Sequence, residues 1–219
     1  NSTFTMIQCD VYILTGNIPL ISKVCKMKII FLGESNVGKS SLIRRLGEDK
    51  FDDDYDFETR RSRKGITEIT HSGSTFRLWD TQGEEQFQSL PPKFFKNASA
   101  CVLAYDVSSN TSFNGAKEWK KELERRFMGA KVTVILAANK SDLQVQVDEN
   151  MVKEFASQNG MILVKTSAKT GENCSKLLDA IIGVATQPEK KKPVVSSSSG
   201  QDASSAPSSA EGDGCCIIS

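Results

Sequence analysis

The chain has 219 residues, 38% hydrophobic and 25% charged, which suits one globular domain with appendages. Twenty-eight Lys and Arg face 27 Asp and Glu, a net charge of +1, so nothing global points to nucleic acid. No apolar run approaches the ~20 residues of a membrane-spanning helix. Six cysteines at 9, 25, 101, 174, 215 and 216 show no metal-ligand spacing, which fits a reducing, cytosolic compartment.

Residues 1–26 fit a folded domain poorly. "VYILTGNIPLISKVC" is broken by Gly16, Asn17 and Pro19, and the first basic residue, Lys23, comes too late for a signal peptide. This segment is expected to be a disordered or non-native extension, with Met27 as a candidate initiator. From Met27 the pattern alternates. "KIIFLG" is a short buried strand, and "SLIRRL" has helical spacing. "GITEIT" alternates with period two, "HSGS" is a turn and "TFRLWD" a second strand. "ACVLAYDV" and "VTVILAAN" are buried strands, and Cys101 in the first reads as a small hydrophobe. Between them "SFNGAKEWKKELERRF" lines up Phe113, Ala116, Trp119 and Leu123 on one helical face, a core stripe. "DENMVKEFASQ" is a helix, "MILVKTSA" a strand and "NCSKLLDAIIGVA" a last helix. His71, the only histidine, is expected to be exposed and structural. Strands buried on both faces and alternating with helices predict an α/β fold over residues 27–186, a parallel sheet flanked by helices, with ligands at the carboxyl ends of the strands. Residues 187–219 are Ser, Gly, Pro and charge, and are expected to be a disordered tail.

Three short motifs carry the chemistry. "GESNVGKS" matches the phosphate-binding loop pattern, with a strand before and a helix after. Gly33 and Gly38 let the backbone wrap phosphates, and the N–H groups of Glu34, Ser35, Asn36, Val37, Ser40 and Ser41 extend the cradle. Lys39 reaches the terminal phosphates as a point charge, the Ser40 hydroxyl is placed for Mg²⁺, and the helix N-terminus adds partial positive charge. A Gly/Ser turn capping a helix is the bland alternative. "NKSD" ends a buried strand. Asp142 can accept two hydrogen bonds from guanine, a donor pair that adenine lacks, which disfavours an ATP-using enzyme. Asn139 can hold the base edge and neighbouring loops, and the Lys140 stem can cover the ring face. "TSAK", Thr166 to Lys169, ends the next strand. Each tetrapeptide is weak alone; their order at the ends of adjacent strands is specific.

With "DTQGEEQF" between them, these motifs follow the order of small Ras-like GTPases, and the resemblance runs from Met27 to about Thr186. Within that superfamily "TFRLWD", "QFQSL", "FFKNASACVLAYDVSSNTSF" and the terminal "CC" resemble the Rab branch, and "GESNVGKSSL" resembles early-endosomal Rabs. The resemblance implies a six-stranded, mostly parallel sheet, GTP or GDP with Mg²⁺, and two nucleotide-sensing switches. It also implies effectors, exchange factors and GTPase-activating proteins as partners. It makes Ser167, Ala168 and Lys169 part of the guanine site. Asp80 becomes the residue that holds Mg²⁺ through water, and Gly83 the one whose N–H meets the γ-phosphate. In the first switch, "YDFETRRSRKG" departs from the family's Thr-Ile-Gly run; Thr59 is the expected Mg²⁺ ligand, with Thr67 as runner-up. The basic run Arg60, Arg61, Arg63 and Lys64 reads as a solvated face paired with the preceding acids, the alternative being an arginine supplied to the γ-phosphate.

Glu84 stands where the family carries the Gln that orients the attacking water. A Gln amide accepts from water and donates toward phosphate, whereas an ionised Glu only accepts. Repulsion from the phosphates predicts slow hydrolysis; a protonated Glu84 imitating Gln is the alternative. "CCIIS" predicts lipid on Cys215, Cys216 or both, by a prenyltransferase. Two chains anchor stably where one is marginal, and Lys190, Lys191 and Lys192 favour an anionic surface. The reading is a Rab-like switch in vesicle trafficking, on the cytoplasmic side of an endomembrane, endosomal by its phosphate loop, with a soluble pool. The rival is a GTP-binding scaffold that barely hydrolyses, suggested by Arg60, Arg61, Gln82 and Glu84.

Overall fold

The computed structural model describes residues 9–10, 24–52, 65–71, 73–81, 90–127 and 132–185. Six strands form the main sheet: β2 (Val24–Leu32), β3 (Ile66–His71), β4 (Ser74–Asp80), β5 (Ala98–Asp106), β6 (Thr133–Asn139) and β7 (Ile162–Lys165). Their order is β3-β4-β2-β5-β6-β7, all neighbours parallel except the β3–β4 hairpin. A two-residue strand, β1 (Cys9–Asp10), pairs antiparallel with Val24 and Cys25. The ladder of β2 therefore starts three residues before Met27.

Alternation along the strands divides the core in two. Ile30, Leu32, Cys101, Leu103 and Tyr105 face α3 (Asn110–Phe127) and α4 (Glu149–Gln158). Ile29, Phe31, Ala100, Val102 and Ala104 face α1 (Lys39–Glu48) and α5 (Cys174–Ala185). A sheet covered on both faces needs nearly continuous apolar runs, which is how β5 reads from Ala100 to Tyr105. Phe113, Ala116, Trp119 and Leu123 all lie on the buried face of α3, as their spacing predicts. Cys101 is fully buried and burial pushes its thiol up, so it behaves as a small apolar residue.

Two elements differ from the sequence reading. A single helical turn, α2 (Pro92–Phe95), precedes β5; Pro at its start suits a helix N-terminus, and four residues are too few to show periodicity. The strand predicted over "MILVKTSA" stops at Lys165. Thr166, Ser167 and Ala168 stay buried, but Ser167 N–H turns to Glu172 O (3.1 Å). Burial of an apolar-flanked run is not the same as ladder pairing. In this strand order the connections leave β2 and β5 toward opposite sides, so the crevice beyond their carboxyl ends is the place for a ligand.

Candidate functional site

The loop leaving β2 is built for close backbone approach. Gly33 has φ 139°, and a Cβ there would lie 2.2 Å from Ala104 O, so only glycine fits. Asn36 (φ 66°) and Gly38 (φ 93°) are also left-handed, and Asn tolerates that region better than most residues. Lys39 is 4% exposed and folds back over its own loop, Nζ donating to Gly33 O (2.9 Å) and Glu34 O (2.7 Å). At the N-terminus of α1 no side chain caps the helix and the first turn holds no acid. By contrast, Asp148 caps α4 by accepting from Asn150 N–H. An uncapped N-terminus beside a buried ammonium is suited to an anion.

Asn139, 1% exposed, joins this loop to the ends of β6 and β7. Its Nδ2 donates to Val37 O (2.8 Å). Its Oδ1 accepts from Ala168 N–H (3.2 Å) and the Thr166 hydroxyl (3.4 Å). Only this orientation of the amide satisfies both sides. A Cβ on Gly38 would sit 2.4 Å from Nδ2, so glycine there makes the junction possible. Asp142 is exposed and one carboxylate oxygen accepts from the Ser167 hydroxyl. Ser141 N–H donates to Thr166 O (3.0 Å) and its hydroxyl to Glu172 (2.7 Å). The two loops that carry "NKSD" and "TSAK" are thus one hydrogen-bonded unit. The anchored Asp142 carboxylate keeps acceptor capacity for a donor pair.

Asp80 ends β4 beside Phe31 of β2, which places it next to the phosphate loop. Its N–H donates to Gly65 O (2.8 Å), while its Oδ1 is buried without a hydrogen-bond partner among the described residues. A carboxylate oxygen withdrawn from water with no donor is costly unless a cation or its water shell meets it. Ser40, half-buried in the first turn of α1, supplies a hydroxyl on the same loop. These residues fit Mg²⁺. Thr67 is differently placed. A Cβ on Gly47 would approach its methyl at 2.8 Å, so Thr67 lies against the far end of α1, about 10 Å along the axis from Ser40 at 1.5 Å per residue. Thr59, Arg60, Arg61, Gln82, Gly83, Glu84, Cys215 and Cys216 lie outside the described residues.

The model of the Ras family matches residues 28–187. The chain belongs to the Ras family. Ras-family proteins are small GTPases, guanine-nucleotide switches that bind GTP or GDP with Mg²⁺.

In this Ras-family domain several residues of the site lie outside the sequence motifs. Arg45 on α1 donates from Nε to Ala168 O and from a terminal nitrogen to Lys169 O, both 2.9 Å, and so holds the "TSAK" loop from behind. It lies 123 residues from Ala168 in the chain, and "SLIRRL" indicates only a helix. Gly115 on α3 passes under the phosphate loop, where a Cβ would meet the Glu34 side chain at 2.3 Å. Asp106 ends β5 and pairs through Oδ2 with Lys140 Nζ (2.7 Å). Burial alone would push the Asp106 carboxyl up. Hydrogen bonds from Lys140 and Ser108 outweigh that and hold it below the usual carboxylate range. A carboxylate closing an otherwise apolar strand is a signal for this residue.

Proposed function

We propose that this chain is a Rab-type switch in vesicle trafficking, acting on the cytoplasmic face of an endomembrane and hydrolysing GTP slowly. The observation that carries the nucleotide reading is the Asn139 junction, at which the phosphate loop meets both loops assigned to guanine. One buried amide that registers the phosphate loop against both base loops suits a single ligand that spans the two. Lys39, the N–H groups of Gly33 to Ser41 and Mg²⁺ at Ser40 and Asp80 serve the phosphates in this reading. Asn139, Lys140, Asp142 and Ser167 to Lys169 serve the base. Mg²⁺ supplies charge neutralisation at the phosphate oxygens when bound.

The Rab assignment is supported by "TFRLWD", "QFQSL" and "FFKNASACVLAYDVSSNTSF". Slow hydrolysis is supported by Glu84, whose charge opposes the γ-phosphate and cannot donate to it. The departures at Arg60, Arg61, Gln82 and Glu84 also favour the second reading, a GTP-binding scaffold that barely turns over. Chromatography of the nucleotide released from purified protein, followed by single-turnover hydrolysis with GTP and Mg²⁺, separates them. Bound GDP with slow turnover, and faster turnover in Glu84→Gln, is expected. Equal or slower hydrolysis in Glu84→Gln means that another residue positions the water. No turnover in either protein favours the scaffold.

A further inference from the structure

We propose that Asp106 is a positioning residue for the guanine base, acting through Lys140 by fixing the ammonium so that the side-chain stem is laid out before nucleotide arrives. The inference rests on the assignment of Asn139 to Asp142 as the base site. It goes beyond it in assigning a role to the end of a different strand.

The geometry leaves Asp106 little choice. Its Oδ1 accepts from Ser108 N–H (2.8 Å) and the Ser108 hydroxyl (2.6 Å). Its backbone N–H donates to the Ser112 hydroxyl (3.0 Å), whose own proton has Ser109 O at 2.8 Å as its shorter acceptor. The side chain is 12% exposed. Oδ2 is therefore held in place, and Lys140 Nζ meets it at 2.7 Å. The other end of the lysine is held as well. Lys140 has φ 62°, a conformation that costs an L-residue energy and persists only where its surroundings impose it. Asp106 and Asn139 are direct partners in the β5–β6 ladder, and Val107 N–H donates to Asn139 O (3.0 Å). Val107 O then accepts from Gln146 and Val147 N–H, which closes the loop after "NKSD" onto β5.

A lysine stem is among the side chains with most rotamer freedom to lose. Here its two ends are fixed by separate strands, so that loss is already incurred in the folded protein rather than on binding. Preorganisation of this kind acts on affinity, mostly through the dissociation rate. The competing explanation is that Asp106 only shapes the turn into α3 through Ser108 and Ser112. Asp106→Asn separates the two roles, because an amide oxygen still accepts from Ser108 while the charge opposite Lys140 is gone.

The test is the dissociation rate of a ribose-labelled fluorescent GDP from the full chain, with Mg²⁺ and excess unlabelled GDP. Asp106→Asn is expected to raise the rate about tenfold, the size of a lost charge-assisted hydrogen bond. Lys140→Met, which keeps the methylenes and removes the ammonium, is expected to do the same. The double variant should be no faster than Lys140→Met alone. Rates that multiply in the double variant would show a structural role and overturn the proposal. So would parental rates in Asp106→Asn or Lys140→Met. Lys140→Ala removes the stem as well. A parental rate there would overturn the base-site assignment itself, and this inference with it; fast release from Lys140→Ala beside parental rates in Lys140→Met and Asp106→Asn overturns this inference alone.

Discussion

A single amide ties the three loops of this site together. Asn139 is the end of β6, yet its two side-chain atoms reach a loop 102 residues earlier and another 29 residues later. Asn139→Ala leaves Val37 O and Ala168 N–H without those partners, and a buried unmet group costs about 1–3 kcal/mol. Affinity for GDP and GTP should therefore fall together, by tenfold or more in a titration. Asp142→Asn acts differently, because it reverses the hydrogen-bond demand at one edge of the base. It should weaken guanine nucleotides and shift preference toward xanthine, whose ring has a carbonyl where guanine has an amine. Retained guanine affinity in Asp142→Asn would remove the base-site assignment. "NKSD" makes both residues visible as candidates. It does not reveal that Asn139 spends its amide on the phosphate loop, since hydrogen-bond partners across 102 residues leave no local pattern.

Each helix at the site works through one end or one face. α1 offers an uncapped N-terminus to the ligand side, and near its C-terminus Arg45 grips two successive carbonyls of the "TSAK" loop. α3 works through its buried face. Trp119 is fully buried between the helix and β5, in one core cluster with Leu103, Phe113 and Leu123. Trp119→Ala should lower unfolding free energy by about 3–5 kcal/mol, from lost burial and the cavity left behind. Urea unfolding at fixed GDP concentration is the measurement, because bound nucleotide itself stabilises the native state. The core stripe of α3 was legible because i, i+3, i+4 spacing is a local property. The one-turn α2 and the early end of β7 were not, because four residues contain no period and ladder pairing depends on the neighbouring strand.

At the scale of the molecule, the chain divides into residues 1–187 and 188–219, and the family match ends at 187. All of the described site lies in the first part. A chain ending at Gln187 is therefore expected to keep its GDP affinity and unfolding midpoint. In the proposed anchoring it should also lose membrane association, as should Cys215→Ser combined with Cys216→Ser. Cell fractionation with a nucleotide-binding assay on the same variants reads both. Membrane association that survives in the truncated chain would count against the lipid anchor and point to the first 187 residues.

The sequence by itself determined the class of fold, the phosphate loop and the order of the motifs. Each of these is written in local spacing: apolar runs of strand length, glycines at Gly33 and Gly38, and tetrapeptides at strand ends. Tertiary structure decided how those pieces become one site. The strand order brings Asp80, Ala104 and Asp106 to the ends of strands flanking or near β2. Folding then buries Asn139 between three loops, seats Arg45 under two carbonyls and holds Lys140 between two strands. The physical reason is that a hydrogen bond or ion pair needs its partners within about 3 Å. Separation along the chain says nothing about which residues the sheet will bring that close.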